Sequence, residues 1–350
     1  MDTIKNLVRK NIWNLKPYSC ARDEFKGEAS TFLDANESAY NAPYNRYPDP
    51  LNLKLKDKII ATAGYKGIDA GNLFLGVGSD ECIDILYRVF CNPGVDNTVA
   101  IAPTYGMYGV CADVNDVEYR SVPLIPETYA MDADAVIAAC DDRTKIVWIC
   151  SPNNPTGNSF AFTDIEKIYN SVNAIIVVDE AYVHYSANDS IADRVNDMPR
   201  LVVLQTMSKA WGSAAVRLGI AYACHTVIDI FNKVKYPYNI NILTSNYADA
   251  RLDVAQEIKE QIALTLRLRS EMAQELAAIP AVIKVYPSDA NFLLTKVVDA
   301  NDIYNYLCSK GIVVRNRNNV LLCGNCLRIT IGTPEENATI ISAIKDYKVK

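Results

Sequence analysis

Histidine is scarce in this chain of 350 residues, which contains only His184 and His225. A metal site built from several histidines is therefore excluded, and a mechanism based on imidazole has two side chains to choose from. Long apolar runs are also missing, since the uncharged stretch 146–162 is interrupted by Asn, Pro and Gly and cannot cross a bilayer. We therefore expect the chemistry to rest on other residues, without a metal and away from membranes.

Excess positive charge is lacking as well. The chain has 35 Lys and Arg against 41 Asp and Glu, a net charge of −6, so non-specific attraction to nucleic acid has no electrostatic basis. Residues 1–5 contain no apolar signal core. The ten cysteines are therefore expected to be thiols in a reducing cytoplasm rather than a disulfide framework.

Short apolar runs alternate with helical patterns in the centre of the chain. Because these runs are rich in Val and Ile and lack polar alternation, they fit strands buried on both faces of a parallel α/β sheet with crossover helices. The predicted strands are residues 99–102, 145–150, 174–178, 201–204 and 219–223.

Helix signals stand on both sides of this central region. Asp49 and Pro50 mark one helix start, and the capping box from Thr333 to Glu336 marks another. An amphipathic pattern without Pro or Gly predicts a long helix near 251–279. Strands predicted at 291–295, 311–314 and 327–331 then suggest a smaller α+β unit. We expect an N-terminal segment (1–45) that joins the small domain, a large domain (46–250) and a small domain (251–350).

Lys209 follows the predicted strand 201–204 within the motif Thr-Met-Ser-Lys-Ala-Trp-Gly. A lysine at a strand end can reach the crevice where open α/β sheets bind ligands, and it can form a Schiff base with an aldehyde. Arg217, eight residues later, is a permanent cation suited to a phosphate. A solvated loop lysine explains the motif alone equally well.

Three further strand ends carry polar groups. Asp179 could pair with a protonated ring nitrogen, or cap a helix. Asn154, in an Asn-Asn-Pro-Thr-Gly stretch, could bond a phenolic oxygen, or belong to a plain turn. Residues 76–81 link a strand to a helix and form an anion site, unless Ser79 is simply an N-cap. A shared explanation for all four strand ends is pyridoxal phosphate.

With these motifs the chain resembles the fold-type I aminotransferases of classes I and II, and within them the histidinol-phosphate branch. The resemblance runs nearly end to end, through residues 15–18, 33–37, 45–48, 103–108, 151–157 and 326–332. It implies an α/β fold of the fold-type I PLP-transferase kind. A large domain has a mostly parallel central sheet flanked by helices, and a small α+β domain forms from the N-terminal segment and the C-terminal third.

The resemblance also implies roles around pyridoxal 5'-phosphate. Lys209 corresponds to the Schiff-base lysine that moves the proton, Asp179 to the partner of the ring nitrogen, and Tyr105 to the aromatic that stacks on the ring. Asn154 and Tyr182 correspond to donors to the ring oxygen. The implied phosphate cup consists of Ser79, Asp80, Thr206, Ser208 and Arg217.

The substrate end is implied in the same way. Arg328 corresponds to the arginine that grips the substrate anion, and Tyr18, Arg315 and Asn154 line that end. Tyr47 corresponds to a tyrosine that reaches the cofactor phosphate of the neighbouring subunit, which implies a homodimer. An arginine suits a carboxylate or a phosphate ester equally, so Arg328 does not separate the two.

The implied function is the ping-pong transamination of L-histidinol phosphate and 2-oxoglutarate to imidazole-acetol phosphate and L-glutamate, a step of histidine biosynthesis. A threonine-phosphate decarboxylase and an aromatic aminotransferase on the same scaffold are the enzyme alternatives. A non-catalytic cofactor-binding regulator is the alternative of another class, and it is disfavoured because no DNA-binding segment precedes residue 15. The pair Cys323 and Cys326 is interpreted as structural because a zinc site needs four ligands, and His184 as a polar residue without a catalytic role.

Overall fold

A computed structural model describes residues 2–18 and 30–348 of the chain. The chain divides into two compact units, each assembled from two separate stretches. Met1–Val95 and Ile191–Ala255 form the first unit, and Asp96–Ser190 and Gln256–Lys350 form the second.

The secondary structure alternates between strands and helices over most of the described chain. The helices are α1 (Asp2–Leu7), α2 (Lys10–Trp13), α3 (Leu53–Ala63), α4 (Gly78–Phe90), α5 (Met107–Val114), α6 (Ala133–Ala138), α7 (Phe162–Ser171), α8 (His225–Val234), α9 (Ile242–Asp253), α10 (Ala255–Ala277), α11 (Ala300–Ser309) and α12 (Pro334–Asp346). The strands are β1 (Leu73–Val77), β2 (Asn97–Ala102), β3 (Glu118–Pro123), β4 (Thr144–Cys150), β5 (Ile175–Asp179), β6 (Leu201–Thr206), β7 (Leu218–Ala223), β8 (Val282–Val285), β9 (Phe292–Val297), β10 (Arg315–Asn316) and β11 (Cys326–Thr330).

The first unit contains three strands in the order β1-β7-β6, and β7 is antiparallel to both neighbours. Every residue of β6 and β7 is buried. Helix α4 follows β1 without a break, so its first turn begins where the strand ends.

The second unit contains four strands in the order β5-β4-β2-β3, and all three of these strand pairs are parallel. Because parallel strands end at one edge, β4 and β5 finish side by side, with Cys150 opposite Asp179. The same unit contains a separate antiparallel sheet in the order β10-β11-β9-β8. One apolar cluster joins this small sheet to α10, α11 and α12, with Leu276, Leu307 and Ile344 fully buried.

The predicted fold class is confirmed, since a mostly parallel sheet with flanking helices accompanies a small α+β part. All five predicted central strands are present. The capping box at α12 is also confirmed, because Thr333 Oγ1 accepts from Glu336 N and Glu336 Oε2 accepts from Thr333 N. Asp49 does accept from main-chain N–H groups, but helix α3 begins later, after its N-cap Asn52.

Three details of the prediction are wrong. Strand β7 is antiparallel to β6, so no crossover helix joins them. The long amphipathic pattern forms two helices, α9 and α10, which are interrupted at Val254. Residues 311–314 form no strand, because Ile312 and Val314 pack on the apolar cluster and pairing with β11 begins at Arg315.

The predicted domain limits at 45/46 and 250/251 stay a prediction. Within the described residues, the helices are too short or too polar to cross a membrane.

Candidate active site

The start of helix α4 in the first unit carries the predicted phosphate cup. Ser79 and Asp80 lie in its first turn, and Nη2 of Arg217 lies 3.2 Å from Oδ2 of Asp80. The main chain joins the same segments, because Gly78 N donates to Arg217 O over 2.9 Å. A helix start and a permanent cation attract the same kind of ligand, a phosphate. The ion pair is partly exposed and contributes about 0–1 kcal/mol, so it competes weakly with an incoming anion.

Two glycines allow this close approach. Gly78 has a φ of +72°, and a Cβ there would lie 2.4 Å from Nη2 of Arg217. A Cβ on Gly219, in β7, would lie 2.2 Å from the carbonyl carbon of Gly78. A side chain at either position would displace the start of α4 or the guanidinium, so the shape of the cup depends on both glycines.

Strand β6 ends on further residues of the predicted cup. Ser208 N donates to Oγ1 of Thr206 over 3.1 Å, and the two hydroxyl oxygens are 3.0 Å apart. Arg217 Nη1 donates to Oγ of Ser208 over 3.4 Å. The structure thus brings Thr206, Ser208 and Arg217 into one connected group. Lys209 follows, partly buried, and Gly212 N donates to its carbonyl oxygen over 3.0 Å, so the chain turns directly after the lysine.

The two predicted tyrosines near the N-terminus lie on the surface of the first unit. Tyr47 stacks on Tyr238 with ring centroids 4.5 Å apart and is 50% exposed. Tyr18 is 74% exposed. The exposure of Tyr47 leaves it accessible to another subunit, and the place of Tyr18 at the substrate end stays a prediction.

The end of β5 in the second unit holds the predicted acid. Asp179 is 2% exposed, and both of its carboxylate oxygens accept hydrogen bonds. Tyr108 Oη donates to Oδ2 over 2.7 Å, and Ala181 N donates to Oδ1 over 3.1 Å. Tyr105 meets the ring of Tyr108 edge to face, with centroids 5.6 Å apart. The predicted stacking aromatic and the predicted ring acid therefore share a neighbour.

The turn after β4 separates the roles of two asparagines. Asn153 is fully buried and serves the turn itself, since its Nδ2 donates to Pro103 O over 2.9 Å. Asn154 accepts at Oδ1 a hydrogen bond from Nη1 of Arg328. The amide predicted for the ring oxygen is thus fixed by the arginine predicted for the substrate anion.

Arg328 lies among aromatic side chains and other arginines. Its guanidinium carbon is 5.3 Å from the ring centroid of Phe292, and the ring of Tyr182 meets Phe292 edge to face at 5.1 Å. Arg315 pairs with Arg328 in the register of β10 and β11. Burial is the main reason why the pKa of Arg328 lies below its usual value. Tyr182 opposes this shift and raises the pKa, whereas the positive charge of Arg315 lowers it further.

Arg317 belongs to the same cluster and was missed by the sequence analysis. Burial first, then the charges of Arg328 and Arg315, lower the pKa of its guanidinium to about 10. In the part of the chain that the structure describes, Nε of Arg317 and Nε of Arg328 are both buried without a hydrogen-bond partner. Two buried guanidinium groups with unused donors, beside a third arginine, have the chemistry to attract an anion. The sequence did contain a signal for Arg317, namely its spacing from Arg315. Residues two positions apart in an extended chain point to the same side.

Tyr108 was missed as well. It stands three residues after Tyr105 within the quoted motif at 103–108, but Tyr105 precedes α5, so helical spacing did not indicate that the two rings meet.

The remaining candidates fit their structural interpretations. Cys323 and Cys326 are buried and not joined by a disulfide, and burial raises the pKa of Cys326 to about 12, which makes its thiol unreactive. His184 is mostly buried, and burial lowers its pKa below 6.5.

The family described as aminotransferase class I and II matches residues 23–344. The chain belongs to the class I and II aminotransferases. A curated relative, the histidinol-phosphate aminotransferase of Parabacteroides distasonis, is 52% identical over 349 residues, which is the full length of both proteins.

Solved aminotransferase structures are similar in fold. The histidinol-phosphate aminotransferase of Clostridium acetobutylicum has a TM-score of 0.79 and 22% identity, and the match covers 86% of this chain and 90% of that one. The enzyme of Sinorhizobium meliloti, solved in complex with pyridoxal-5'-phosphate, has a TM-score of 0.75 and 21% identity over 89% of both chains. As a family member, the chain is a transaminase.

Proposed function

We propose that this aminotransferase transfers the amino group of L-histidinol phosphate to 2-oxoglutarate, giving imidazole-acetol phosphate and L-glutamate. The observation that carries the substrate assignment is the 52% identity, over the full length, to an enzyme of that name. The arginine cluster of the second unit agrees with it. A phosphate ester carries up to two negative charges, and Arg315, Arg317 and Arg328 offer three positive ones.

The proposed cofactor is pyridoxal 5'-phosphate, and the residues fit it. The narrow cup between Gly78 and Arg217, which a Cβ would fill, suits a phosphate. The buried Asp179 suits a protonated ring nitrogen. When bound, this cofactor supplies an aldehyde that exchanges the amino group and a conjugated ring that delocalises the electron pair released at the substrate α-carbon.

The remaining chemistry is assigned to side chains of the chain. Lys209 Nζ would take the proton from the substrate α-carbon and deliver it to C4′ of the cofactor, a proton transfer that imidazole performs in many other enzymes. Asp179 holds the positive charge of the ring nitrogen in place. Asn154 and Tyr182 donate to the ring oxygen, and burial keeps Tyr182 protonated, because it raises the pKa of the phenol. Tyr105 covers the face of the ring.

Arg328 is assigned the binding of the substrate anion. Arg315 and Tyr18 are assigned as further residues that line the substrate end. The same arginine, Arg328, receives the phosphate ester in one half-reaction and the α-carboxylate of glutamate in the other, because a ping-pong scheme uses one site for both substrates. A guanidinium can form paired hydrogen bonds with either group.

The active assembly is proposed to be a homodimer to which Tyr47 of one subunit contributes at the other. Many large apolar side chains of the first unit face solvent, as expected of a surface that a second copy covers. They include Leu33, Tyr40, Tyr44, Tyr47, Leu53, Tyr236, Leu243 and Tyr247. Light scattering of the purified protein tests the assembly.

We also propose a cytoplasmic location. No disulfide joins the nine cysteines that the structure describes, which agrees with a reducing compartment.

The function is tested by incubating the holoenzyme with histidinol phosphate and 2-oxoglutarate and following glutamate. Formation of glutamate that depends on histidinol phosphate is expected. Release of CO₂ from threonine phosphate would instead indicate the decarboxylase. The L-threonine-O-3-phosphate decarboxylase of Porphyromonas gingivalis is similar to this chain in fold, at 20% identity. Stronger turnover of phenylalanine than of histidinol phosphate would indicate an aromatic aminotransferase.

A further inference from the structure

Tyr108 is a buried polar residue to which the proposed function assigns no task. It lies at the start of α5, has no solvent exposure, and donates from Oη to Oδ2 of Asp179 over 2.7 Å. A hydrogen bond to a buried carboxylate is stronger than one between neutral groups, and its loss removes one of the donors that stabilise the charge.

The ring of Tyr108 is held from two sides. It stacks on the indole of Trp148 in β4, with centroids 4.7 Å apart and planes 11° apart. Tyr105 contacts it edge to face at 5.6 Å. With its ring confined in this way, Tyr108 has little freedom to move its hydroxyl away from Asp179.

The protonation state agrees with a donor. Burial, followed by the negative charge of Asp179, raises the pKa of Tyr108 well above its usual value, so the phenol keeps its proton at physiological pH. The second oxygen, Oδ1, is held by Ala181 N at 3.1 Å. The carboxylate therefore has a fixed plane.

We propose that Tyr108 is a positioning residue whose hydroxyl holds the Asp179 carboxylate in the orientation in which it meets the cofactor ring nitrogen. The inference rests on the proposed function, in which Asp179 has that role. Because Tyr108 also contacts Tyr105, one side chain orients two groups that act on the same ring, one at its nitrogen and one at its face. Precise positioning by such supporting contacts is what sites of this kind require.

The test substitutes Tyr108→Phe, which removes the hydroxyl and keeps the ring. We expect the dissociation constant for pyridoxal phosphate, measured as release from the diluted holoenzyme, to rise about tenfold, as for one lost charge-assisted hydrogen bond. The rate of the half-reaction with glutamate should fall, with KM for glutamate within about twofold of wild type.

Tyr129→Phe is the matched control. Tyr129 is also buried in the second unit, and its hydroxyl donates to the carbonyl oxygen of Leu322 over 2.9 Å. This variant should lose about as much thermal stability as Tyr108→Phe does, and its cofactor release should stay within about twofold of wild type. Equal cofactor release from Tyr108→Phe and Tyr129→Phe would overturn the proposal.

A double-mutant cycle separates positioning from general stabilisation. In an Asp179→Asn background, Tyr108→Phe should change cofactor release by less than about twofold, because the carboxylate it serves is gone. The same tenfold change in both backgrounds would also overturn the proposal. Wild-type holoenzyme that exchanges no amino group with glutamate or histidinol phosphate would contradict the proposed function, whereas cofactor release needs no amino donor and still decides the role of Tyr108.

Discussion

Nη1 of Arg328 donates to Oδ1 of Asn154, so the proposed anion-binding arginine orients the proposed cofactor amide. An amide whose oxygen accepts from an arginine must present its NH₂ group elsewhere. Nδ2 of Asn154 is therefore the group that can donate to a ring oxygen. The contact also links occupancy of the anion site to the orientation of the amide.

Lys209→Ala should abolish turnover and the absorbance band of the internal aldimine, because the ε-amine is the proposed covalent anchor and proton carrier. Absorbance spectra and glutamate formation measure both effects. Lys66→Ala, at an exposed position of the same unit, is the control and should behave as wild type. Unchanged turnover in Lys209→Ala would contradict the assignment.

Arg328→Ala should raise KM for histidinol phosphate and for glutamate alike, by about 10- to 100-fold each, the range for losing a charged hydrogen-bonding partner. Steady-state kinetics with each amino donor provide the measurement. An increase for neither substrate would refute the anion-binding role.

Arg317→Gln should act selectively. Because Arg317 adds a further positive charge beside Arg328 and Arg315, its loss should weaken binding of a doubly charged phosphate more than that of a singly charged carboxylate. We expect KM for histidinol phosphate to rise about tenfold, as for one lost charged contact, with a smaller change for glutamate. Competitive inhibition by inorganic phosphate should weaken in parallel.

Arg267→Gln is the control for this substitution, since Arg267 lies on the exposed face of α10 and contacts Glu271 at 3.7 Å. It should leave both KM values unchanged. Equal increases for the two substrates in Arg317→Gln would show that the arginine does not discriminate by charge.

Gly219→Ala should destabilise the first unit, because the new Cβ would lie 2.2 Å from the main chain at Gly78. Overpacking of this kind costs about 1–3 kcal/mol, and the displaced helix start should also bind the cofactor phosphate less tightly. Thermal unfolding and cofactor release measure the two effects. Gly324→Ala, where nothing lies within 4 Å of the added carbon, should be nearly neutral, and equal behaviour of the two variants would contradict the prediction.

His184 should make the stability of the protein depend on pH. Burial lowers the pKa of His184 in the folded state, so below pH 6.5 the unfolded chain binds more protons at this residue than the folded chain does. Its contribution to stability is therefore present above pH 6.5 and is lost as the pH falls through and below that value. His184→Gln should make the stability less dependent on pH in the acidic range, as measured by urea unfolding.

His225→Gln is the control for that measurement, because the His225 side chain is 56% exposed and pairs with Asp69 at the surface. A pH dependence that is the same in His184→Gln as in wild type would contradict the prediction.

Local signals in the sequence were sufficient for much of the fold. The capping box at Thr333 is an interaction within four residues, so it can be recognised without the rest of the structure. The direction of β7 could not be recognised locally. It depends on pairing with β1 and β6, and β1 is far from β7 in the sequence. Apolar residues at 312 and 314 were misassigned because they cover a core, which gives the same composition as a strand.

The candidate site shows the same division. Lys209, Asp179 and Arg328 stand in motifs whose residue types suggest chemistry, and they could be chosen from the sequence. Tyr108 could not, because its importance follows from a 2.7 Å contact with a residue 71 positions away. Arg317 likewise gains its significance from the arginines around it rather than from its own motif.

Trp148 lies in the middle of β4, completely buried, with its ring against that of Tyr108. At an ordinary core position, one apolar side chain can replace another of similar volume at little cost. Replacement of Trp148 would instead move the surface on which the tyrosine rests, and with it the proposed ring acid. A substitution of Trp148 chosen to raise thermal stability would therefore change catalytic activity as well. This part of the protein interior cannot be engineered for stability alone.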